Sequence, residues 1–301
     1  MPLYRWDLDK SYIETDFESV RGLIRAATER PEQKKTVPGA PSLMRGLAQG
    51  EDSHISVLSG SPEQLRTKIL ARFQLDNIPI SSLLLKDSVH RIKKRQFRDI
   101  KGQLGFKLQA LLTSRLEFPN ETHEVCFGDD VELDAIIYLM YSMCLSKTLD
   151  QGQIVQLMKV AKAYERDIQS AVAAYQKLPI CPPLRGIFIR MTSRKSRSQI
   201  RDLGHQIIPV YSWSQAAFVL HHWGLLSRES VLEVLTDAKE HLPVHVANLL
   251  QDMIRMGFLD EDYIQHWPTV RPHYFELPKT GVQSQDIDFN QLIAAIQSWI
   301  D

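Results

Sequence analysis

What this chain lacks narrows its chemistry before any motif is read. It has only three cysteines, Cys126, Cys144 and Cys181, scattered among apolar neighbours with no metal-ligand spacing. That argues against a disulfide scaffold and a thiolate metal site, and predicts reduced, packed thiols of a cytoplasmic protein. There is no excess of either charge: 36 Lys plus Arg stand against 36 Asp plus Glu. No global field therefore favours nucleic acid or an anionic membrane. Long hydrophobic runs are missing too, and the longest, residues 135–145, is too short to span a bilayer. Asp7 and Asp9 interrupt the N-terminus at once, so no signal-peptide apolar region is expected there. Neither an internal repeat nor a low-complexity tract is present. The basic segment 193–201 has no interleaved aromatics, so it reads as a solvated loop rather than a nucleic-acid surface.

What remains is an ordinary soluble composition, 301 residues with 44% hydrophobic and 24% charged. That is long enough for one large domain or a core plus an appendage. Short, nearly all-apolar runs at 3–6, 54–58, 83–85, 124–127, 186–191 and 206–211 read as strands. Helical patterns fall between them, at 17–27, 41–49, 91–112 and 134–145. From 146 to 178 the pattern is helix only, and beyond 212 it is helix apart from a Pro-rich connector at 267–278. Strands alternating with helices predict an α/β fold with a parallel sheet covered on both faces.

Four features sit at predicted strand ends or on the helix before one. Asp7 and Asp9 follow the first strand with Leu8 turned away, a pair suited to a divalent cation and a phosphoryl group. Ser59 ends the next strand, where its hydroxyl and neighbouring N–H groups can hold a phosphate. Ordinary turn hydrogen bonds are the alternative for Ser59. For Ser61, followed by Pro62 and Gln64, helix capping is the expected role. Lys107 is the only charged residue in the apolar run 104–112. It can neutralise a nucleophile and a phosphate, or snorkel to the surface, and Lys86, Lys93 and Lys94 compete for that role. Finally Gly128-Asp129-Asp130-Val131-Glu132-Leu133-Asp134 offers oxygen ligands to Mg²⁺, or an acidic cap to the helix after it. His241 and His245 are four apart, but Pro243 between them breaks the helix that would align them on a metal.

In order, Asp7-Leu8-Asp9-Lys10-Ser11, Ser59, Lys107 and Gly128-Asp129-Asp130 with Asp134 resemble the four motifs of the haloacid dehalogenase-like phosphatases. Val37-Pro38-Gly39-Ala40, Leu58 to Leu65 (Leu-Ser-Gly-Ser-Pro-Glu-Gln-Leu), Leu83-Leu84-Leu85-Lys86-Asp87, the Gly128 to Tyr138 run and Ile187-Phe188-Ile189-Arg190 narrow the resemblance. They are similar to the phosphatidate phosphatase catalytic-domain family of the actin-patch-associated type. The resemblance implies a Rossmannoid core over 1–225 with a helical insertion at about 146–183, followed by a C-terminal helical region over 226–301.

It also implies a Mg²⁺-dependent phosphoric monoester hydrolase. Asp7 would be the nucleophile and Asp9 the general acid and base. Mg²⁺ would be held by Asp7, the Asp9 carbonyl and Asp129, with Asp134 supporting. Ser59 and Lys107 would hold the phosphoryl oxygens, with Ser11 and Gly60 lining the substrate. Lys10 stands where the family has Asp, and Asp130 where it has Ser, which alters the charge expected at the site mouth. The implied partner is a phosphorylated small molecule or a lipid headgroup, with no nucleic acid and no transmembrane segment. Rival readings are a phosphatase of a soluble nucleotide or sugar phosphate and a non-catalytic phosphatase-like scaffold. Nothing in the pattern specifies an oligomeric state.

Overall fold

The computed structural model describes residues 1–14, 35–86, 100–267 and 287–300. The helix expected at 17–27, the competing lysines Lys93 and Lys94, and most of the Pro-rich connector lie outside the described residues. The described strands are β1 (Pro2–Asp7), β2 (His54–Pro62), β3 (Ser82–Lys86), β4 (His123–Asp129), β5 (Gly186–Arg190) and β6 (Ile207–Val210). They form a parallel six-stranded sheet in the order β3-β2-β1-β4-β5-β6. The chain moves outward from β1 to β3, then returns to the other side of β1 with β4. That reversal opens a crevice beyond the carboxyl ends of β1 and β4, the place where such sheets bind ligands.

Strand alternation assigns the two faces. Tyr4 and Trp6 point to one core, where Trp6 stacks on Phe127 at 4.1 Å and Phe127 stacks on Phe188 at 5.3 Å. Covering this face are α1 (Ala40–Ala48), α2 (Arg66–Leu75), α8 (Trp213–His222), α9 (Arg228–Asp237) and α10 (Pro243–Arg255), with Tyr263 and Trp267 beyond them. The other face carries α3 (Ile100–Arg115), α4 (Asp134–Leu145), α5 (Gln151–Val160), α6 (Glu165–Lys177) and α11 (Phe289–Ile300). A short helix α7 (Arg197–Arg201) links β5 and β6. Residues after 226 therefore contribute to both hydrophobic cores. The three cysteines are buried free thiols. His241 precedes the first residue of α10, Pro243, as the proline predicts.

The helices of the 146–183 stretch have a definite job: α6 packs closely along α3. A side chain at Gly105 would put its Cβ 2.9 Å from Ala163 Cβ and 3.2 Å from Asp167 Cβ. The glycine lets the two helices approach, which pins α3 across the sheet. Lys86 also ends up beside this seam, its Nζ 3.0 Å from where a Cβ at Gly102 would sit.

One expectation is overturned by local structure. Ser61 does not cap a helix: β2 continues through Pro62, a 3₁₀ turn spans Glu63–Leu65, and α2 starts at Arg66 without a side-chain cap. The extension of β2 pairs Pro62 with Lys86 after a register shift beyond Ser59, and pairing outcompetes the local capping pattern.

The second-face side of β1 also holds a buried polar network. Arg5 Nε donates to Glu124 Oε2 at 2.9 Å, and one Arg5 Nη reaches Ser114 at 2.8 Å and Ser56 at 3.2 Å. Arg115 forms an ion pair with Glu124 at 2.8 Å, and Tyr141 donates to the same carboxylate at 2.9 Å. Arg5, Arg115 and Glu124 are almost wholly excluded from solvent. Removing one partner of such a pair leaves an uncompensated buried charge. Arg5→Ala should therefore lower unfolding free energy by roughly 3–5 kcal/mol, read from urea melts at unchanged m. A loss below about 1 kcal/mol, the range of an exposed pair, would show that the network is not a stability element.

Candidate active site

β1 delivers Asp7 to the crevice on the face opposite Trp6, where its side chain is 1% exposed. From α3, the buried Lys107 extends to it. Lys107 Nζ donates to Asp7 Oδ1 at 2.8 Å, to Glu132 Oε2 at 2.9 Å and to Asp134 Oδ1 at 2.5 Å. An ammonium has three N–H donors, so all three are engaged. Gln103, one turn earlier on α3, donates to Glu132 Oε1 at 3.0 Å. Lys107 is thus the lysine that meets Asp7, while Lys86 lies by the α3–α6 seam.

The β4 end is shaped by Gly128 and the turn after it. A Cβ at Gly128 would stand 2.6 Å from Asp134 Oδ2 and 2.7 Å from Asp134 Cβ, so only glycine admits that carboxylate beside the strand. Asp134 Oδ2 accepts from the Asp129 N–H at 3.3 Å. Asp129 Oδ1 accepts from the N–H groups of Val131 at 2.6 Å and Glu132 at 3.2 Å, closing an Asx-type turn. The helix begins at Asp134, as its pattern at 134–145 predicts, and the turn uses one Asp129 oxygen while the other has no hydrogen-bond partner among the described residues.

Four carboxylates, Asp7, Asp129, Glu132 and Asp134, therefore share one mostly buried space with one buried cation. Burial raises the pKa of Asp7; Lys107 opposes that, while Asp134, Glu132 and Asp129 add to it. Asp129 is raised first by burial and then by Asp134 and Glu132, with Lys107 opposing. Asp134 is raised by burial against the pull of Lys107. Burial also pushes Glu132 up, but Lys107 and the hydrogen bonds from Lys107 and Gln103 outweigh it, and Glu132 ends below the ordinary range. Burial would lower Lys107, yet Asp134, Asp7 and Glu132 hold it well above the usual lysine value.

Asp9 forms the other wall. Its Oδ2 accepts from Ser59 Oγ at 3.2 Å and Ser61 Oγ at 3.5 Å, and the Ser61 N–H donates to Ser59 Oγ at 3.0 Å. Gly60 lies between them; a Cβ there would be 3.6 Å from Gln103 Nε2, an ordinary contact, so its small size is not demanded by crowding. The Ser11 hydroxyl is buried without a hydrogen-bond partner among the described residues, and its carbonyl accepts from Trp213 Nε1 at 2.9 Å. Asp130 does not charge the mouth. It is fully buried, and its oxygens accept from Thr192 N at 2.7 Å and Ser193 Oγ at 2.6 Å, tying down the loop after β5.

The residues fit a hard divalent cation. Asp7, Glu132 and Asp134 each present an oxygen within 4.8 Å of the others. Asp7 Oδ2 and Asp129 Oδ2 are buried oxygens without a hydrogen-bond partner among the described residues, an arrangement that is costly unless something else satisfies them. Oxygen-only donors suit Mg²⁺ better than a soft metal. Glu132 is the member that sequence reasoning left unassigned. It stood inside the acidic run, but only the turn directed by Asp129 brings it back to Lys107. Gln103 was missed as well, for want of any local signal.

Against known families, residues 7–150 match the model described as the phosphatidate phosphatase APP1 catalytic domain. The resemblance read from the motifs is borne out over that segment, and with it the parallel α/β core. No curated protein and no solved structure matches the chain. The match points to phosphatase chemistry, and the acidic cluster can hold a metal ion. No described helix is long and apolar enough to cross a membrane.

Raised carboxylates bind more protons folded than unfolded, so they make stability fall as pH rises from the ordinary aspartate value of 3.8 through their elevated values. Without divalent metal, the melting temperature should decline across that window, and Mg²⁺ should restore it at neutral pH. Asp129→Asn should melt higher than wild type without metal and gain less from Mg²⁺. An unchanged Mg²⁺ shift in Asp129→Asn would remove Asp129 from the metal site.

Proposed function

We propose that this chain is a Mg²⁺-dependent phosphatase that hydrolyses a phosphomonoester, of the phosphatidate type, through an aspartyl-phosphate on Asp7. The observation that carries the reading is the buried Asp7 carboxylate, gripped on Oδ1 by Lys107 and without a hydrogen-bond partner on Oδ2 among the described residues, inside the segment matched to the phosphatidate phosphatase family.

The derived steps use this chain's own side chains. An Asp7 carboxylate oxygen attacks phosphorus, and the bond from phosphorus to the leaving oxygen breaks. Asp9, held against Ser59 and Ser61, gives its proton to that leaving oxygen. In the second half, Asp9 takes a proton from water, the water oxygen attacks phosphorus, and the Asp7 carboxylate is released. Lys107 orients Asp7 and offsets its charge throughout. Because its three donors are held by carboxylates, it positions the nucleophile more readily than it grips a phosphoryl oxygen. Ser59, with its neighbouring backbone and the buried Ser11 hydroxyl, is left to line the phosphoryl group. Mg²⁺, held by Asp7, Asp129, Glu132 and Asp134, would supply charge neutralisation of the transferring phosphoryl oxygens.

The test is turnover of an aryl phosphate and of phosphatidate in detergent micelles, with and without Mg²⁺. Asp7→Asn should abolish both. Asp9→Asn should lose about 10²- to 10⁴-fold in kcat, the typical worth of acid–base assistance, with the smaller loss on the aryl phosphate, whose leaving group needs less protonation. Equal turnover by wild type and Asp7→Asn would remove the nucleophile. Turnover of the aryl phosphate without any of phosphatidate would keep the chemistry and reassign the substrate to a soluble phosphomonoester.

A further inference from the structure

Three partly buried cations, Lys10, Arg190 and Lys195, lie within electrostatic reach of the acidic run 129–132. Two are committed. Arg190 donates from Nη1 to the Lys10 carbonyl at 2.8 Å. Lys195 donates to the Asp130 carbonyl at 2.8 Å and lies over the Trp299 ring, 2.9 Å from its centroid. The Lys10 ammonium has no hydrogen-bond or ion-pair partner among the described residues.

Its placement is nonetheless well defined. Lys10 has φ 60, in the left-handed region that few non-glycine residues adopt and that Lys147, Lys162 and Lys239 of this chain share. Its N–H donates to the Ile13 carbonyl at 2.8 Å and its carbonyl is held by Arg190, so both ends of the residue are anchored. The side chain projects from the residue directly after Asp9 and lies close enough to Glu132 for the two charges to attract. The fold thus holds, at the residue next to Asp9 in the chain and within electrostatic reach of Glu132, a cation with no hydrogen-bond or ion-pair partner among the described residues, while Lys107 has all three of its donors engaged.

We propose that Lys10 recognises a second anionic phosphoryl group beside the scissile one, on the leaving-group side of the site. This rests on the phosphatase reading and deepens it by adding a specificity-determining residue. The second group could come from the same molecule, as in a bisphosphate, or from a neighbouring headgroup in a lipid surface; the recognising chemistry is the same.

Two paired comparisons test it in the full chain with Mg²⁺. The soluble pair is propane-1,3-diol bisphosphate against 3-hydroxypropyl phosphate. The lipid pair is phosphatidate in micelles diluted with phosphatidylglycerol against phosphatidylcholine. The readout is the ratio of kcat/KM within each pair for wild type, Lys10→Gln, Lys10→Arg and the exposed control Lys177→Gln. Wild type should favour the more anionic member, and Lys10→Gln should cut that ratio about tenfold, mainly through KM. Lys10→Arg should retain most of it and Lys177→Gln all of it. A drop confined to the soluble pair assigns the second group to the substrate; a drop confined to the micelles assigns it to the neighbouring headgroup. Ratios that Lys10→Gln leaves unchanged in both pairs overturn the proposal. If instead wild type turns over neither these substrates nor the aryl phosphate, it is the phosphatase reading that fails.

Discussion

A single ammonium inside a ring of carboxylates is the constraint around which this molecule is arranged. Lys107 is fully buried, which costs several kcal/mol in lost hydration unless its charge is matched and its donors are filled. Three carboxylates fill them, from β1 and from the turn and helix after β4. The match overshoots, because Asp129 adds a fourth carboxylate to the same space and negative charge remains in excess. Burial first, and then that surplus, raises Asp7, Asp129 and Asp134, and the carboxylates hold Lys107 above its usual value against burial. The surplus is also what makes the site receptive to a divalent cation.

The scaffold is built to hold that arrangement still. Parallel pairing of β1 with β4 aligns the two strand ends that carry the acids, and the stacked Trp6, Phe127 and Phe188 lock the same strands from the opposite face. α3 brings Lys107 across the sheet, and the glycine-mediated approach of α6 presses α3 into place. The helical stretch between β4 and β5 thereby becomes a brace for Lys107. Deeper on the same face, the Arg5–Glu124–Arg115 network satisfies another set of buried charges without any free carboxylate oxygen. The contrast with the Lys107 cluster lies in stoichiometry: two cations share one carboxylate in the network, whereas four carboxylates share one cation in the cluster.

Most of the site was legible because its members sit at strand ends, where short apolar runs stop at acids or a serine. Asp7, Asp9, Ser59 and the 128–134 run carry that signal, and Lys107 is conspicuous as the only charge in an apolar stretch. Glu132 was not legible as a site member, since nothing local separates it from Asp130 two positions earlier. The structure sends these two in opposite directions, Glu132 to Lys107 and Asp130 to the Thr192–Ser193 backbone. Ser61 shows the converse error. Its local pattern is a good helix cap, but the partner strand β3 supplies hydrogen bonds that extend β2 past it, and its hydroxyl turns to Asp9 instead.

By itself the sequence determined the alternation of strands and helices, the two faces of each strand and the chemical character of the residues at the strand ends, because these follow from periodicity and side-chain type along a short stretch. Tertiary structure alone decided which lysine meets Asp7 and which acids share its space. Lys107 is 100 residues from Asp7, and Arg190 is 180 residues from the Lys10 carbonyl that it holds. Contacts at that separation depend on strand order and helix packing, and no local pattern encodes the balance of charge that results.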